Sequence, residues 1–321
     1  MNQLFKQKTV IKLLKYLFSL IFIGLSAFLA LNFYTDLSVE ELKIKYANTE
    51  SEFIIINGMP VHYRDEGNPK DSIPLVLIHG TGASLLTWDA WVAKMKPHHR
   101  IIRLDLPAYG LTGPNKNHDY SIEFYTTFLN QFLQKIKVKN CYLAGNSLGG
   151  LISWQYTLKY PNQVKKLVLI DATGYPMALK NKAFIFKLVQ IPVLKDIIKK
   201  ITPKFIIKKS LLDVYGQPTK VTPQLIEQYH DMARRTGNRA AFISRNNPIF
   251  NNNYLKINQI SIPTLIMWGN LDRWIKIENA YKFQKDLPND TLIIYKGIGH
   301  LPMAEAAGQS AKDALIFLAK K

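Results

Sequence analysis

The chain of 321 residues contains a single cysteine, Cys141. An intramolecular disulfide is therefore excluded, and the thiols that a cysteine metal cluster requires are missing. Cys141 lies inside an apolar run and is predicted to be a small buried hydrophobe. Low-complexity tracts and internal repeats are also absent, and 47% of the residues are hydrophobic, which excludes an extended disordered protein. The sequence predicts one large domain, or one domain that carries an insertion.

Acidic residues are scarce relative to basic ones. The chain has 23 Asp and Glu against 42 Lys and Arg, a net charge of +19 and a pI of about 9.7. Such an excess favours nucleic acid or an anionic membrane surface as a partner, although a general lysine-rich composition explains part of it. Zinc-finger spacing, an aromatic and basic RNA-binding signature and a helix-turn-helix pattern are all missing, so no nucleic acid partner is predicted.

One long apolar run is present near the start of the chain. Residues 16–35 carry no charge and follow a basic segment, residues 1–15. About 20 residues suffice to cross a bilayer, whereas a cleaved signal peptide has a shorter apolar region followed by a small-residue cleavage site. A transmembrane signal anchor is therefore preferred over a cleaved signal. Asp36, Glu40 and Glu41 follow the run, so we expect a cytoplasmic N-terminus and the rest of the chain on the periplasmic or extracellular side.

The remaining sequence alternates between strand and helix patterns. Residues 36–50 are predicted to form a linker, and Asn57-Gly58 separates two apolar-alternating runs, as in a hairpin. The later strands are almost continuously apolar, which indicates a mostly parallel sheet covered by helices. The strand pattern stops after residue 174 and resumes at residue 260. The sequence therefore predicts an α/β core over residues 51–174 and 260–321, with a helical cap over 175–259 inserted between strands 6 and 7.

The segment "NCYLAGNSLGGLISW" carries the strongest catalytic signal. Ser147 lies between Gly145 and Gly149, after a buried-strand pattern and before a helical one. A glycine-flanked serine also occurs in ordinary turns. The strand, turn and helix context instead matches the G-x-S-x-G nucleophile elbow, in which small flanking residues let the strand and the helix approach closely.

A serine nucleophile needs a base and a group that orients the base. His300 in "GIGHLP" follows the last strand pattern and is the predicted base; the other histidines considered are His62, His98, His99, His118 and His230. Asp272 in "GNLDRW" follows the strand before it and is the preferred acid, in the chain order Ser, Asp, His. Asp171 closes another strand and is the alternative, with a role in holding the cap or tuning His300. Asp105 comes too early for this order and is predicted to support loop structure.

An acyl-transfer site also needs N–H donors aimed at the developing oxyanion. The residue after the nucleophile, Leu148, is expected to supply one donor. Thr81 in the "HGTG" loop is expected to supply the other. His79-Gly80 could instead form only a turn that requires a positive φ.

Five motifs in order, "HGTG", "DLPAYGLTGP", "GNSLGG", "GNLDRW" and "GHLP", resemble the α/β-hydrolase superfamily, in its capped serine esterase and lipase-like branch. The resemblance covers roughly residues 53 to 320. It implies an α/β-hydrolase fold, Ser147 as nucleophile, His300 as base, Asp272 as its orienting acid, and Thr81 and Leu148 as oxyanion donors. Ala108 departs from the pattern, because relatives often have glycine there, and it makes that turn sterically tighter.

The resemblance also limits the classes of reaction that the protein is expected to catalyse. Dehalogenase and epoxide hydrolase relatives place aspartate at the elbow, so Ser147 argues against both. Carbon–carbon bond hydrolases keep the serine but often have an aromatic residue where Leu301 stands. Hydrolysis of a carboxylic ester through an acyl-enzyme is therefore expected, with no metal or organic cofactor.

The cap gives a weaker indication of the substrate. Its segment 183–209 alternates large apolar residues with lysines. This pattern fits a solvated cap helix, and it also fits a surface for a lipid or long acyl ester at the membrane. A non-catalytic ligand-binding protein and a membrane-binding protein with incidental catalysis remain alternatives.

Overall fold

Eight strands form one sheet at the centre of the fold. The computed structural model describes residues 2–176, 185, 191, 197–245 and 252–320, with side chains from residue 7 onwards. The strands are β1 (Ser51–Ile56), β2 (Met59–Gly67), β3 (Leu75–Ile78), β4 (Arg100–Leu104), β5 (Cys141–Asn146), β6 (Val164–Ile170), β7 (Thr264–Gly269) and β8 (Asp290–Tyr295). Their order is β1-β2-β4-β3-β5-β6-β7-β8, and only the pairs that include β2 are antiparallel. The predicted α/β-hydrolase fold with a mostly parallel sheet is confirmed.

A two-residue turn starts the sheet. Asn57 and Gly58 have φ angles of 49° and 75°, and Ile56 pairs with Met59 across the hairpin. Positive φ at both central positions is the geometry that an Asn-Gly turn favours. The predicted hairpin is therefore confirmed.

The parallel strands are buried on both faces. All four residues of β3 and all six of β7 are buried. Because side chains alternate across a strand, Val76 and Ile78 enter one core while Leu75 and Leu77 enter the other. These two cores are covered by helices, which explains why the strand sequences lack a polar alternation.

Helices pack on both sides of the sheet. The described α-helices are α1 (Asn2–Leu31), α2 (Val39–Tyr46), α3 (Asp89–Met95), α4 (Ile122–Lys135), α5 (Leu148–Lys159), α6 (Lys204–Val214), α7 (Pro223–Arg234), α8 (Asn238–Arg245), α9 (Glu278–Asp286), α10 (Pro302–Glu305) and α11 (Ala307–Ala319). The helices α4, α5 and α9 lie over one core, and α3, α10 and α11 over the other. Ser121 caps α4 by accepting from Phe124 N at 3.1 Å, which satisfies an N–H group that has no acceptor within the helix.

The described part of the cap is helical. It lies between β6 and β7 and contains α6, α7, α8 and the short 3-10 helices Pro218–Lys220 and Asn252–Gln259. Of the lysine-rich segment 183–209, residues 183–184, 186–190 and 192–196 lie outside the described residues.

The N-terminal helix α1 includes a stretch, Gln7–Leu31, that is long and apolar enough to cross a membrane, and a signal sequence would meet the same criterion. The helix ends at Leu31, four residues before the end of the predicted uncharged run. Asn32 ends it by donating from N to Phe28 O, and Phe33 then pairs with Ile201 of the cap.

The predicted linker makes many contacts with the cap. Ser38 and Glu41 form a reciprocal capping box that starts α2, and Leu42 on this helix packs against Met232 of α7. Lys45 Nζ and Tyr46 Oη both donate to the buried Asp231, at 2.6 and 2.8 Å. We call residues 32–47, which join α1 to the hydrolase core, the stalk.

The last helical pattern of the sequence is divided in two. A short helix, α10, ends at Glu305, and Ala306 leaves helical geometry with φ −120° and ψ 39° before α11 begins. The side chain of Glu305 is buried against the loop that carries His300. The apolar periodicity continues across Ala306, so the sequence pattern did not reveal the break.

Candidate active site

Ser147 occupies a sharp turn between β5 and α5. Its φ and ψ are 54° and −114°, a combination that residues other than glycine rarely adopt. A Cβ added at Gly145 would lie 2.2 Å from Gly149 O, and one added at Gly149 would lie 2.0 Å from Ile78 O. Both flanking glycines are thus required by the close approach of backbone, which is the reason for the G-x-S-x-G spacing.

Hydrogen bonds on each side hold the serine in place. Ser147 N donates to Ile170 O at 3.0 Å, and Thr173 N donates to Ser147 O at 3.1 Å. Asn146, the variable residue of the motif, donates from Nδ2 to both Ile170 O and His300 O, at 3.1 and 3.0 Å. Asn146 therefore connects the elbow to the histidine loop, a role that sequence reasoning missed because the motif leaves this position unspecified.

His300 and Asp272 lie together at the carboxyl edge of the sheet. The distance from His300 Nδ1 to Asp272 Oδ2 is 2.6 Å, and both side chains are buried. Asp272 Oδ1 accepts from Trp274 N and Ile275 N, at 2.7 and 3.0 Å, so the carboxylate is held at both oxygens. An Nδ1–H donated to Asp272 leaves Nε2 as the basic nitrogen. This Nε2 is buried and has no hydrogen-bond partner among the described residues.

Asp171 lies beside this pair but does not orient the imidazole. Its Oδ1 accepts from Gly269 N at 3.1 Å, while the imidazole Nδ1 is taken by Asp272. Burial, and then the negative charge of Asp272, raise the pKa of Asp171 well above its ordinary value. Burial and the neighbouring carboxylate thus both disfavour the ionised form of Asp171.

The loop after β3 approaches the serine closely. A Cβ added at Gly80 would lie 3.1 Å from Ser147 Cβ. His79 Nε2 accepts from Leu106 N at 3.0 Å, so Nδ1 carries the proton and donates to Gly80 O at 2.8 Å. Burial also lowers the pKa of His79, which keeps it neutral. His79 therefore fixes the loop that presents Thr81 to the cavity.

The first residue of α5, Leu148, has its N–H at a helix N-terminus. Such an N–H has no acceptor within its own helix. The backbone of Leu148 adjoins Ser147, and Thr81 lines the cavity beside the same serine. The two expected oxyanion donors are thus on segments that flank Ser147.

The other histidines lie elsewhere. His62 Nδ1 is 2.7 Å from the buried Asp105, whose carboxylate also accepts from two loop N–H groups, Leu85 N and Leu111 N. Burial opposes the charge of Asp105, but the contact with His62 lowers its pKa overall. This pair supports loop structure, as expected of Asp105. The remaining rivals are exposed or bonded away from Ser147: His98, His99, His118 and His230.

Among the residues that the structure describes, two groups of side chains bring possible metal-ligand atoms close together. The ligand atoms of Asp171, Asp272 and His300 lie within 4.8 Å of one another, and Glu227, His230 and Asp231 form a second group. In the first group, Nδ1 of His300 is already engaged by Asp272. In the second, Lys45 Nζ lies 2.6 Å from Asp231 and already supplies a positive charge. Hydrogen bonds and charge pairing account for both groups.

A mainly apolar cavity joins the serine and the histidine to the cap. Ser147, Thr81, Tyr109 and His300 line it from the core. Ala108 also lines it and has a φ of 83°, which is strained for a residue with a Cβ, as its departure from the glycine pattern predicts. The cap closes the cavity with aliphatic side chains, among them Ile185, Ile198, Ile207, Leu211 and Val214.

Comparisons with known proteins agree with this architecture. Lipase 1 of Psychrobacter immobilis is 28% identical over 302 residues, which cover 85% of this chain and 87% of that protein. A 2-hydroxy-6-oxononadienedioate/2-hydroxy-6-oxononatrienedioate hydrolase of Paraburkholderia phymatum is 26% identical and covers 80% of this chain and 90% of its own. A membrane phospholipase A, described as a bacterial virulence factor, has the same fold, with a TM-score of 0.71, 24% identity and 96% of each chain covered.

A family model described as the alpha/beta hydrolase fold matches residues 73–307. This range includes six strands of the sheet, the elbow, the cap and the loop of His300. The chain therefore belongs to the α/β-hydrolase family of enzymes.

Proposed function

We propose that the protein is a membrane-anchored serine hydrolase that cleaves carboxylic esters of lipids. In this proposal Ser147 is the nucleophile, His300 the general base and Asp272 its orienting acid. The observation that carries it is the imidazole of His300, which is held by the buried Asp272 at 2.6 Å and lines one cavity with Ser147. Its unpartnered Nε2 is the nitrogen that the reaction requires.

The reaction takes two steps. Ser147 Oγ passes its proton to His300 Nε2 and bonds to the ester carbonyl carbon, and the carbonyl oxygen becomes an oxyanion. Backbone N–H groups of Thr81 and Leu148 stabilise that charge; one such donor is typically worth about 3 to 4 kcal/mol. The alcohol leaves with the proton from His300. Water then attacks the acyl-enzyme, with His300 again as base, and the acid leaves as Ser147 regains its proton.

The proximity of the cavity to the N-terminal helix supports a lipid substrate. Ile198 and Thr202 line the catalytic cavity, while Ile197 and Ile201, each one residue earlier, line a groove. That groove is shared with the end of α1 and the start of the stalk: Leu29, Ala30 and Phe33. Adjacent residues of this cap segment thus line the groove beside the predicted membrane segment and the catalytic cavity.

Exposed apolar side chains also lie at this end of the cap. The ring of Phe205 on α6 is 57% exposed, and its centroid lies 6.3 Å from that of Phe28 in α1. Large exposed apolar groups beside lysines are typical of surfaces that rest on a bilayer. Relatives named as lipase and phospholipase are consistent with an acyl lipid as substrate.

The experiment uses the full chain in detergent, because the stalk packs against the cap. We expect hydrolysis of p-nitrophenyl esters with a preference for long acyl chains, release of fatty acid from phospholipid vesicles, and labelling by a fluorophosphonate probe. Ser147→Ala should abolish all three, while Ser210→Ala, in the cap wall of the same cavity, should keep the labelling. A folded protein that neither hydrolyses any ester nor reacts with the probe would contradict the proposal.

Carbon–carbon bond hydrolysis is the second candidate, because a relative is named as a hydrolase of a 2-hydroxy-6-oxo dienoic acid. A faster turnover of such a dienoate than of any ester would favour it. The buried Asp272 and His300 pair would serve either reaction, so the choice between them depends on the substrate panel.

The predicted topology is also part of the proposal. Basic residues precede the apolar helix and acidic residues follow it, which supports a cytoplasmic N-terminus and an outer catalytic domain. Protease added to spheroplasts should digest the catalytic domain and spare a tag placed at the N-terminus. Protection of the whole chain would contradict this orientation.

A further inference from the structure

We infer that Glu305 is a positioning residue that holds the loop of His300 and the cap wall of the cavity in one fixed arrangement. The inference rests on the proposed function, since it assigns His300 as the base. Glu305 is only 2% exposed, and it is not among the described residues that line the cavity. It therefore acts on the reaction through other residues and not by touching the substrate.

Both carboxylate oxygens of Glu305 bind backbone N–H groups. Oε1 accepts from Gly299 N at 2.9 Å, directly before His300. Oε2 accepts from Gly216 N and Gln217 N, at 2.8 and 3.0 Å, directly after the end of the cap helix α6. One side chain thus bridges two segments that are more than 80 residues apart in sequence.

One bridged segment carries the proposed base, His300, and the other follows the helix α6, which forms part of the cavity wall. His300 N donates to Val214 O, the last residue of α6, at 2.7 Å. Four residues of α6 line the cavity: Ile207, Ser210, Leu211 and Val214. A displacement of α6 would therefore move the cavity wall and the base together.

Gly299 and Gly216 allow the backbones of the two bridged segments to approach each other closely. A Cβ at Gly299 would lie 2.3 Å from Val214 O, and one at Gly216 would lie 2.6 Å from Gly299 N. Close approach of two backbones leaves N–H groups that no neighbouring carbonyl accepts, and the Glu305 carboxylate accepts three of them. The break at Ala306 ends α10 directly after this residue.

The charges around Glu305 are few. Burial raises its pKa, and the three N–H donors offset part of that shift. Lys220 from the cap donates to Glu305 O, and Asp171 and Tyr215 are other titratable groups in the described part of the chain that interact with Glu305. The three N–H donors and the charge of Lys220 favour the carboxylate form of Glu305, and burial opposes it.

The test is Glu305→Gln in the full chain, with Glu278→Gln, an exposed carboxylate on α9, as the matched control. Glutamine keeps the shape but replaces one acceptor oxygen by an NH₂ group, which faces an N–H donor. We expect kcat to fall about tenfold or more, because small displacements of a catalytic group are costly. We also expect a lower preference for long over short acyl esters, because α6 shifts.

Two further readouts separate positioning from simple loss of folded protein. Titration with a fluorophosphonate should find the same number of reactive serines as in the wild type, each labelled more slowly. Hydrogen exchange should become faster in the peptides that span 214–217 and 297–301, and the control should match the wild type in both measurements.

The outcomes are distinct. Unchanged exchange in both peptides would overturn the inference even in an inactive protein. A loss of activity explained entirely by fewer titratable serines would also overturn it. A wild-type protein without hydrolysis or labelling would instead count against the proposed function, and the exchange measurement would still decide the role of Glu305.

Discussion

The nucleophile elbow and the cap are held in different ways. Ser147 is fixed by backbone hydrogen bonds and by glycines that leave no room for a methyl group. The cap is tied to the stalk by a few backbone hydrogen bonds, such as Leu37 N to Arg234 O, and in addition by polar side chains. Arg239 Nη2 bonds Asp36 and Tyr34 O, Arg234 Nε donates to Thr35 O, and Lys45 pairs with Asp231.

Because the elbow and the cap are held differently, they differ in how far their residues can be substituted. Backbone contacts tolerate almost no substitution, so the elbow keeps one geometry for the Ser147 hydroxyl, the proposed nucleophile. Side-chain contacts can be exchanged one at a time, which lets the cap vary its cavity lining while the sheet stays unchanged. In the proposed enzyme, the sheet edge therefore fixes the reacting groups, and the cap and stalk shape the space for the substrate.

The largest effect should come from removing the charge that orients the base. We expect Asp272→Asn to lower kcat about 10⁴-fold, because an amide cannot hold the Nδ1–H tautomer of His300 as the carboxylate does. The measurement is ester turnover together with the rate of fluorophosphonate labelling. Activity within tenfold of the wild type would show that another acid serves His300.

The tight packing of the elbow can be broken without touching a polar group. Gly149→Ala places a Cβ 2.0 Å from Ile78 O, and we expect it to lower the free energy of unfolding by about 3 kcal/mol or to prevent folding. Gly308→Ala is the control, since nothing lies within 4 Å of its Cβ position in α11. That helical substitution should stabilise the protein by about 0.5 kcal/mol in urea unfolding. Equal stabilities for the two variants would refute the packing argument.

The tie between stalk and cap should have a smaller effect. Asp36→Ala leaves the buried guanidinium of Arg239 without its carboxylate partner, which lies at 2.5 Å. We expect a loss of about 1 to 2 kcal/mol in unfolding free energy and a change in acyl-chain preference, because Arg239 lines the cavity. Glu227→Ala removes an exposed ion pair with Lys204 and should cost less than about 0.5 kcal/mol. An unchanged acyl preference in Asp36→Ala would mean that the stalk does not shape the cavity.

The elements that were predictable are those set by local rules. The Asn57-Gly58 turn, the buried strands and the elbow each depend on residues within a few positions of one another, so their patterns are legible in one sequence. The spacing of Ser147, Asp272 and His300 indicated residues that the structure brings to one sheet edge. Their catalytic roles remain a proposal.

The unpredicted features depend on distant partners. Asn146 bonds the loop of His300 across 154 positions, and Glu305 bonds the cap at Gly216 across 89 positions, so the neighbouring sequence indicates neither contact. Residues 36–50 were predicted as a linker because their pattern is short and polar, while Asp36 and Lys45 in this segment bond cap residues about 200 positions later. Long-range polar contacts of this kind leave no periodicity to detect.

The smallest expected change in activity, and the most informative about charge, concerns Asp171. Burial and the Asp272 carboxylate raise its pKa in the folded protein, whereas in the unfolded chain it ionises above about pH 4. Ionisation therefore favours the unfolded state, and stability is lost as pH rises from about 4 towards the raised folded pKa. Asparagine cannot ionise, so Asp171→Asn should become more stable than the wild type by about 1.4 kcal/mol for each pH unit in this window.

Urea unfolding at several pH values measures this difference, with kcat expected to stay within about threefold because Asp272 alone orients His300. Glu278→Gln, an exposed carboxylate, should give a stability curve parallel to that of the wild type. Parallel curves for Asp171→Asn and the wild type would mean that folding does not raise the pKa of Asp171, which would contradict the effect expected from its burial and from the neighbouring Asp272 carboxylate.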